Sequence, residues 1–219
     1  RIKTQSQFPA ETTTTDIANL QTYDWQKAAY TDGRTDKYDL AVSGGGNSSS
    51  YRFSGSWEDT EGSIIGSDFS RGTINLNYNN KLSEKVELLS NINLSSIRQH
   101  GPLGATGTST QFSAPSYANP MILPFLPIYN EDGSYNFSLS GFPGTFTRNT
   151  LHSTELNEAL EKNNSLFGNL QLKYQINKYL SYKGLVGLDY RDISARMYYD
   201  PRSIDAYSKS GILIEYADK

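Results

Sequence analysis

Between Tyr38 and Val86, apolar and polar residues take turns along the chain. Tyr38, Leu40 and Val42 interleave with Lys37, Asp39, Ala41 and Ser43. Tyr51, Phe53, Gly55 and Trp57 interleave with Arg52, Ser54, Ser56 and Glu58, and Ile74, Leu76 and Tyr78 with Thr73, Asn75, Asn77 and Asn79. A period of two puts one set on an apolar face and the other on a polar face. The stretch therefore predicts three consecutive β-strands. Each run spans about ten residues, longer than the usual five or six and near the length of a strand that crosses a bilayer.

The pattern continues on both sides of a long interruption. The first strand covers roughly 36–44, the second runs to Glu58, the third covers roughly 71–79 and the fourth roughly 86–97. Alternation stops from Gln99 to Asn164, and this stretch holds Pro102, Pro115, Pro120, Pro124, Pro127 and Pro143. A segment far longer than the usual ceiling of about 15 residues is a functional loop or a small lid. Within it, 156–162 predicts a short helical turn. Alternation returns at Leu166, with Leu170, Leu172, Tyr174 and Ile176 on a fifth strand. Leu180, Tyr182, Gly184, Val186, Leu188 and Tyr190 mark a sixth, and Ile212 to Tyr216 opens a seventh. Residues 1–35 read as an irregular segment leading into this region. Asp16 and Asp24 are candidate helix caps, and Trp25 is a packing anchor.

The connections alternate in length. Short ones fall at 45–48, 80–85 and 177–178, and long ones at 59–70, 98–164 and 192–210. In an up-and-down sheet successive connections lie at opposite ends, so one end is tight and the other elaborate. Outer-membrane barrels have this asymmetry. The segments LNYNNKLSEKVELLSNINL and LKYQINKYLSYKGLVGLDY also resemble each other as strand–turn–strand units. The fold class is therefore all-β: antiparallel up-and-down strands forming part of a transmembrane β-barrel with long extracellular loops, a partial barrel over 36–219 with its long loop at about 99–164.

Composition agrees. The chain has 219 residues, a net charge of -3 and 36% hydrophobic residues, and 16 Tyr and 9 Phe make up much of that apolar set. Tyr-rich, aliphatic-poor strands suit a wall between lipid and a polar space better than a dense core. The mild acidity argues against a nucleic-acid partner. With no Cys, disulfides, thiolate metal sites and Cys nucleophiles are excluded. No apolar run approaches the roughly 18 residues of a transmembrane helix, and no signal peptide opens the chain, so an envelope location implies a removed leader or a longer protein.

Little in the sequence points to catalysis. The Gly44–Asn47 run lacks the Lys-Ser/Thr and helix of a phosphate loop and reads as a tight turn favoured by positive φ. Asn130 to Gly133 is another turn, without the alternating oxygen ligands of a calcium loop. His100 and His152 read as solvated residues of the long loop, and the adjacency of His152 and Ser153 is not a triad. The expectation is a protein that is not an enzyme, with no metal and no cofactor. Phe125, Tyr129, Tyr135 and Phe137 are the candidate ligand-binding residues, since flat amphipathic rings stack on sugars or pack against a lid.

One family carries many of these features in order. Tyr38-Asp39-Leu40 with Val42-Ser43-Gly44-Gly45, Tyr51-Arg52-Phe53-Ser54, Glu61-Gly62, Ile64-Ile65-Gly66-Ser67-Asp68-Phe69 with Arg71, and Leu76-Asn77 resemble the early barrel of SusC/RagA-type TonB-dependent outer-membrane transporters. Asn119-Pro120, the run Pro127 to Tyr135, Leu156-Asn157 and Gly168-Asn169-Leu170 resemble the first large loop and the return to the barrel. Gly72 departs from the pattern where an aromatic commonly follows the arginine, and Glu158 where a proline is common. The resemblance covers most of 24–200 and implies a section of a barrel of about 22 strands. It also implies a wall facing outer-membrane lipid in the bacterial outer membrane, import of nutrient oligomers (glycans or peptides), and a SusD-like lipoprotein lid. TonB would supply energy through a plug region absent from this chain. The alternative is a soluble or surface-exposed β-sandwich that binds glycan or mediates adhesion.

Overall fold

In the computed structural model, residues 21–102, 114–136, 149–203, 206 and 212–218 are described. The alternating runs form one antiparallel sheet whose seven strands are ordered as they occur in the chain. They are β1 (Arg34–Gly45), β2 (Ser49–Glu61), β3 (Asp68–Lys81), β4 (Val86–Gly101), β5 (Glu158–Gln175), β6 (Ser181–Tyr199) and β7 (Ile212–Asp218). Each strand pairs with the next without a break in register.

The register gathers the apolar positions onto one face. Leu40, Gly55, Ile74, Leu94, Leu166 and Tyr190 are successive partners from β1 to β6, and Val42, Phe53, Leu76, Ile92, Gly168 and Leu188 form the next row. A one-residue slip would move a whole set to the other face, so the hydrophobic pattern pins the register. Tyr38, Trp57 and Tyr190 edge the apolar band on one side, and Tyr51, Tyr78, Tyr174 and Tyr182 on the other. No second layer covers the band among the described residues: Leu40 is 73% exposed and Val186 72%. A sandwich would have buried both.

The opposite face is polar and tied by cross-strand bonds. The Asn93 amide donates to Asn75, and the Asn91 amide to Asn169 (2.9 Å). Lys173 meets Glu87, its register partner, at 3.0 Å. Arg52, Glu58, Lys183, Asp189 and Arg191 share this face. Gly72, the departure from the family pattern, pairs with Trp57 on the apolar face. A side chain there would meet the indole at 3.3 Å, so the neighbouring strand supplies the aromatic.

The two ends differ as expected. Turns of three, four and five residues (46–48, 82–85 and 176–180) close one end, and 62–67, 102–157 and 200–211 lie at the other. Several expected bounds shift. The β2–β3 connection is only six residues, the long loop is shorter than 99–164, and β5 starts at Glu158 rather than Leu166. The helix near 156–162 is found earlier, at Thr150–Leu156, and His100 lies on β4 rather than in the loop. The physical reason is common to these shifts. Alternation marks a strand only where its two faces meet different surroundings: 158–165 is mostly polar on both faces, and over 192–199 the phase inverts, with Ile193, Ala195, Met197 and Tyr199 on the face opposite Tyr190. The Gly44–Asn47 turn forms without positive φ. Among the described residues that conformation falls on Gly66 and Gly133.

The buried core sits in the long-loop end. Helix α1 (Trp25–Ala29), helix α2 (Pro115–Ala118) with the 3₁₀ turn Asn119–Met121, and helix α3 (Thr150–Leu156) gather there. Trp25, Ile122, Leu126, Ile128 and Leu151 form its centre. The Asp24 side chain caps α1 by accepting from Lys27 N–H at 2.8 Å, and Asn149 caps α3. Asp16, the other expected cap, lies outside the described residues. The 62–67 turn joins this cap: Ile65 N–H donates to the Ala29 carbonyl (3.1 Å) and Thr31 N–H to Ser63 (2.9 Å).

Candidate functional site

The described parts of the long loop pack as a cap because buried polar side chains replace a regular ladder. The Trp25 indole N–H donates to the Leu126 carbonyl at 2.9 Å, across 101 residues of sequence. Asn119 donates to the Trp25 carbonyl (2.7 Å) and accepts from the Thr150 hydroxyl. Asn149 donates to the carbonyls of Ile128 (2.8 Å) and Asn136 (3.0 Å). Asn157 joins the 200–203 turn: its amide donates to Ser203 (2.8 Å), and its carbonyl oxygen accepts from Asp200 N–H (3.0 Å). Each asparagine satisfies backbone groups that a loop would otherwise leave buried without partners.

This scaffold carries an aromatic hairpin. Tyr129 and Tyr135 face each other as an isolated antiparallel bridge. The turn between them is closed by Asn130 N–H donating to the Ser134 carbonyl (2.7 Å) and by Gly133 at φ 83°. Asp132 accepts from the Ser134 hydroxyl (2.6 Å) and N–H (2.9 Å), which hold its carboxyl below the ordinary range. The Tyr129 and Tyr135 rings lie 5.1 Å apart with a 34° tilt, and His152 meets Tyr135 edge-on at 5.5 Å. The Tyr135 hydroxyl donates to Glu155 at 2.6 Å. Burial, then the Glu155 carboxylate, pushes the Tyr135 pKa well up. Tyr135 is thus a fixed, neutral backing, while Tyr129 is 49% exposed.

Of the four candidate binding residues, the structure brings Tyr129 and Tyr135 together. Phe125 packs partly buried against the cap core, and Phe137 lies outside the described residues. Trp25 is the expected anchor, 2% exposed. The histidines depart from the solvated-loop expectation: His100 pairs with Asp68 at 2.9 Å, and His152 is half-buried on α3. Sequence reasoning missed Glu155, Asn149 and Asp200. The Asp200 carboxylate takes a fork from Arg202 (Nε 2.8 Å, Nη2 2.9 Å), which lowers its pKa to about 2. The Asp-x-Arg spacing was the only signal available for that pair. Among the described residues, no group of three or more acidic or histidine side chains converges as a metal site.

Comparison with known proteins follows the sheet. No family model matches the chain. Over 123 residues, 54% of the chain, it is 30% identical to "TonB-dependent receptor P3" of Formosa agariphila, and that match spans 12% of the relative. The structure superimposes on the RagAB peptide transporter with a TM-score of 0.68 over 86% of this chain and 21% of that one, at 16% identity. The seven-stranded sheet has the fold of part of that transporter's barrel wall. The chain thus spans about an eighth of the curated relative and about a fifth of the solved chain. In walls of this type, strands alternate between an apolar side toward lipid and a polar side toward the interior, as the two faces here do. With 19 residues at about 3.3 Å each, β6 is roughly 60 Å long. Tilted about 40°, it rises well past an apolar band about 25 Å tall. The strand portions 158–165 and 192–199 stand beyond that band, at the end that carries the cap.

Proposed function

We propose that this chain is a section of a TonB-dependent transporter in the bacterial outer membrane, and that the intact protein imports nutrient oligomers, glycan or peptide. One observation carries the reading: among the described residues, a seven-stranded up-and-down wall has an uncovered apolar face between two aromatic edges and a folded cap at one end only. The apolar face meets outer-membrane lipid, and the cap lies on the extracellular side. There the Tyr129–Tyr135 hairpin contacts cargo or a SusD-like lipoprotein lid. Energy comes from TonB through a plug outside this chain. No catalytic chemistry is assigned to any residue.

Tyr129 is the residue to test. Deleting 121–140 would remove Ile122, Leu126 and Ile128 from the cap core, so a loss of uptake would not separate binding from folding. In the intact protein, Tyr129→Ala leaves that core in place. The expected result is a roughly two- to tenfold loss of oligomer uptake, the worth of one aromatic contact, with barrel assembly unchanged by heat-modifiable gel mobility. Parallel assays with glycan oligomers and with peptides identify the cargo class. Unchanged uptake of both would remove the hairpin from the site.

A further inference from the structure

The apolar face carries a feature that a plain lipid-facing wall does not need. Arg98 on β4 and Lys162 on β5 are register partners directly across the strand pair. Both share parity with Leu94 and Leu166, so both sit on the lipid side. They lie two residues beyond Ser96 and Asn164, which are hydrogen-bonded to each other at 2.7 Å. Like charges directly opposite are unfavourable in a sheet, and their flanking partners on β3 and β6, Ser70 and Ser194, offer no compensating charge. The diagonal acids are Asp68, already engaged by His100, and Asp192, the partner of Asn164. No ion pair forms at either cation among the described residues.

Directly below this pair the apolar face is hollowed. A groove of about 820 Å³ is lined by Tyr38, Trp57, Ile74, Leu94, Leu166 and Tyr190, among others, within the size range of ligand pockets. Its floor is open because Gly55 carries no side chain: a Cβ there would meet only the Thr73 carbonyl, at 3.7 Å. Two cations without an ion-pair partner among the described residues, a hydrogen-bonding Ser–Asn rim and an apolar trough follow one another along the same strands.

We infer that this face holds a phosphorylated, acylated amphiphile of the surrounding leaflet, its phosphate between Arg98 and Lys162 and an acyl chain in the groove. A phosphate between the two cations turns their repulsion into a pair of charge-assisted hydrogen bonds, and the trough shields the chain. The inference rests on the outer-membrane reading above.

The test uses the intact protein reconstituted in phosphatidylcholine vesicles containing a minor fraction of phosphatidic acid, with lipid retained through detergent extraction measured by mass spectrometry. The expected result is selective retention of phosphatidic acid. It falls about tenfold in R98Q/K162Q, as for the loss of hydrogen bonds to a charged group. It also falls in Gly55→Leu, which fills the groove and leaves both cations, and persists in excess inorganic phosphate. The inward-facing control Lys183→Gln retains lipid as the wild type does. Unchanged retention in R98Q/K162Q overturns the site. So does full displacement by inorganic phosphate, which would leave a simple anion site. Failure to insert into these vesicles overturns the membrane reading itself, whereas insertion without selectivity overturns only this inference.

Discussion

Leu40 in the wall is 73% exposed, and Trp25 in the cap is 2% exposed. Both are large apolar residues of one chain, yet one region turns its hydrophobic side outward and the other inward. The wall has a complete backbone ladder, so its side chains are free to answer to whatever lies on each face. The cap has short helices and turns, and it stays together only by burying Trp25, Ile122, Leu126, Ile128 and Leu151 around asparagines that satisfy its backbone. The difference teaches that exposure of apolar area in this protein marks an environment rather than a defect. The wall meets an apolar solvent, and the cap meets water.

Mutations can break that contrast from either side. The largest effect is expected in the cap: Trp25→Ala removes the central ring and its bond to Leu126, costing about 3–5 kcal/mol. Limited proteolysis should then cut the long loop while the strands stay protected. If the strands lose protection too, cap and wall fold as one unit. In the wall, consecutive residues should differ sharply. Val186→Arg, between Tyr182 and Tyr190 on the lipid side, costs about 2–4 kcal/mol, whereas Leu185→Arg on the polar side is tolerated. Denaturant titration of the reconstituted protein measures both, and equal costs would erase the two-faced wall.

Smaller changes sharpen the picture of the cap. Asn149→Ala leaves the carbonyls of Ile128 and Asn136 without a donor and uncaps α3, for a loss of about 1–3 kcal/mol, read as faster hydrogen exchange at 128–136 and 150–156. Gly133→Ala forces a side chain into φ 83°, costing about 1 kcal/mol, and should loosen the Tyr129–Tyr135 pair without touching the core. The smallest effect is a pH dependence. Asp200 titrates at about 2 because Arg202 bonds its charged form, below the ordinary value of about 3.9. A lowered folded pKa stabilises above the unfolded value, and that stability is lost as pH falls from about 4 through about 2. Asp200→Asn should flatten this acid response of the 200–203 turn, as seen by hydrogen exchange.

The wall was legible wherever its two faces differ. Tyr38 to Trp57, Ile74 to Tyr78 and Leu170 to Tyr190 alternate because lipid-side and interior-side positions are chemically opposed, and the same alternation set the register. The strand ends were not legible. At Glu158–Ser165 hydrophobic contrast fades, and over Asp192–Tyr199 its phase inverts, so pairing with a neighbour rather than one continuous apolar parity extends the strand. In the site, Tyr129 and Tyr135 stood out as aromatics around a turn. Glu155 did not, because its role depends on a helix 20 residues away in sequence being brought against the hairpin.

The sequence by itself determined the up-and-down sheet, its two faces, its tight and elaborate ends and the type of barrel it resembles, because those follow from a period of two and from local turns. Only the tertiary structure decided that the described parts of the long loop pack as a cap, that Arg98 and Lys162 stand opposite each other above a groove, and that Tyr135 is locked while Tyr129 is open. Those features join residues tens of positions apart, and no local pattern encodes which distant side chain will satisfy a buried donor or stand beside a charge.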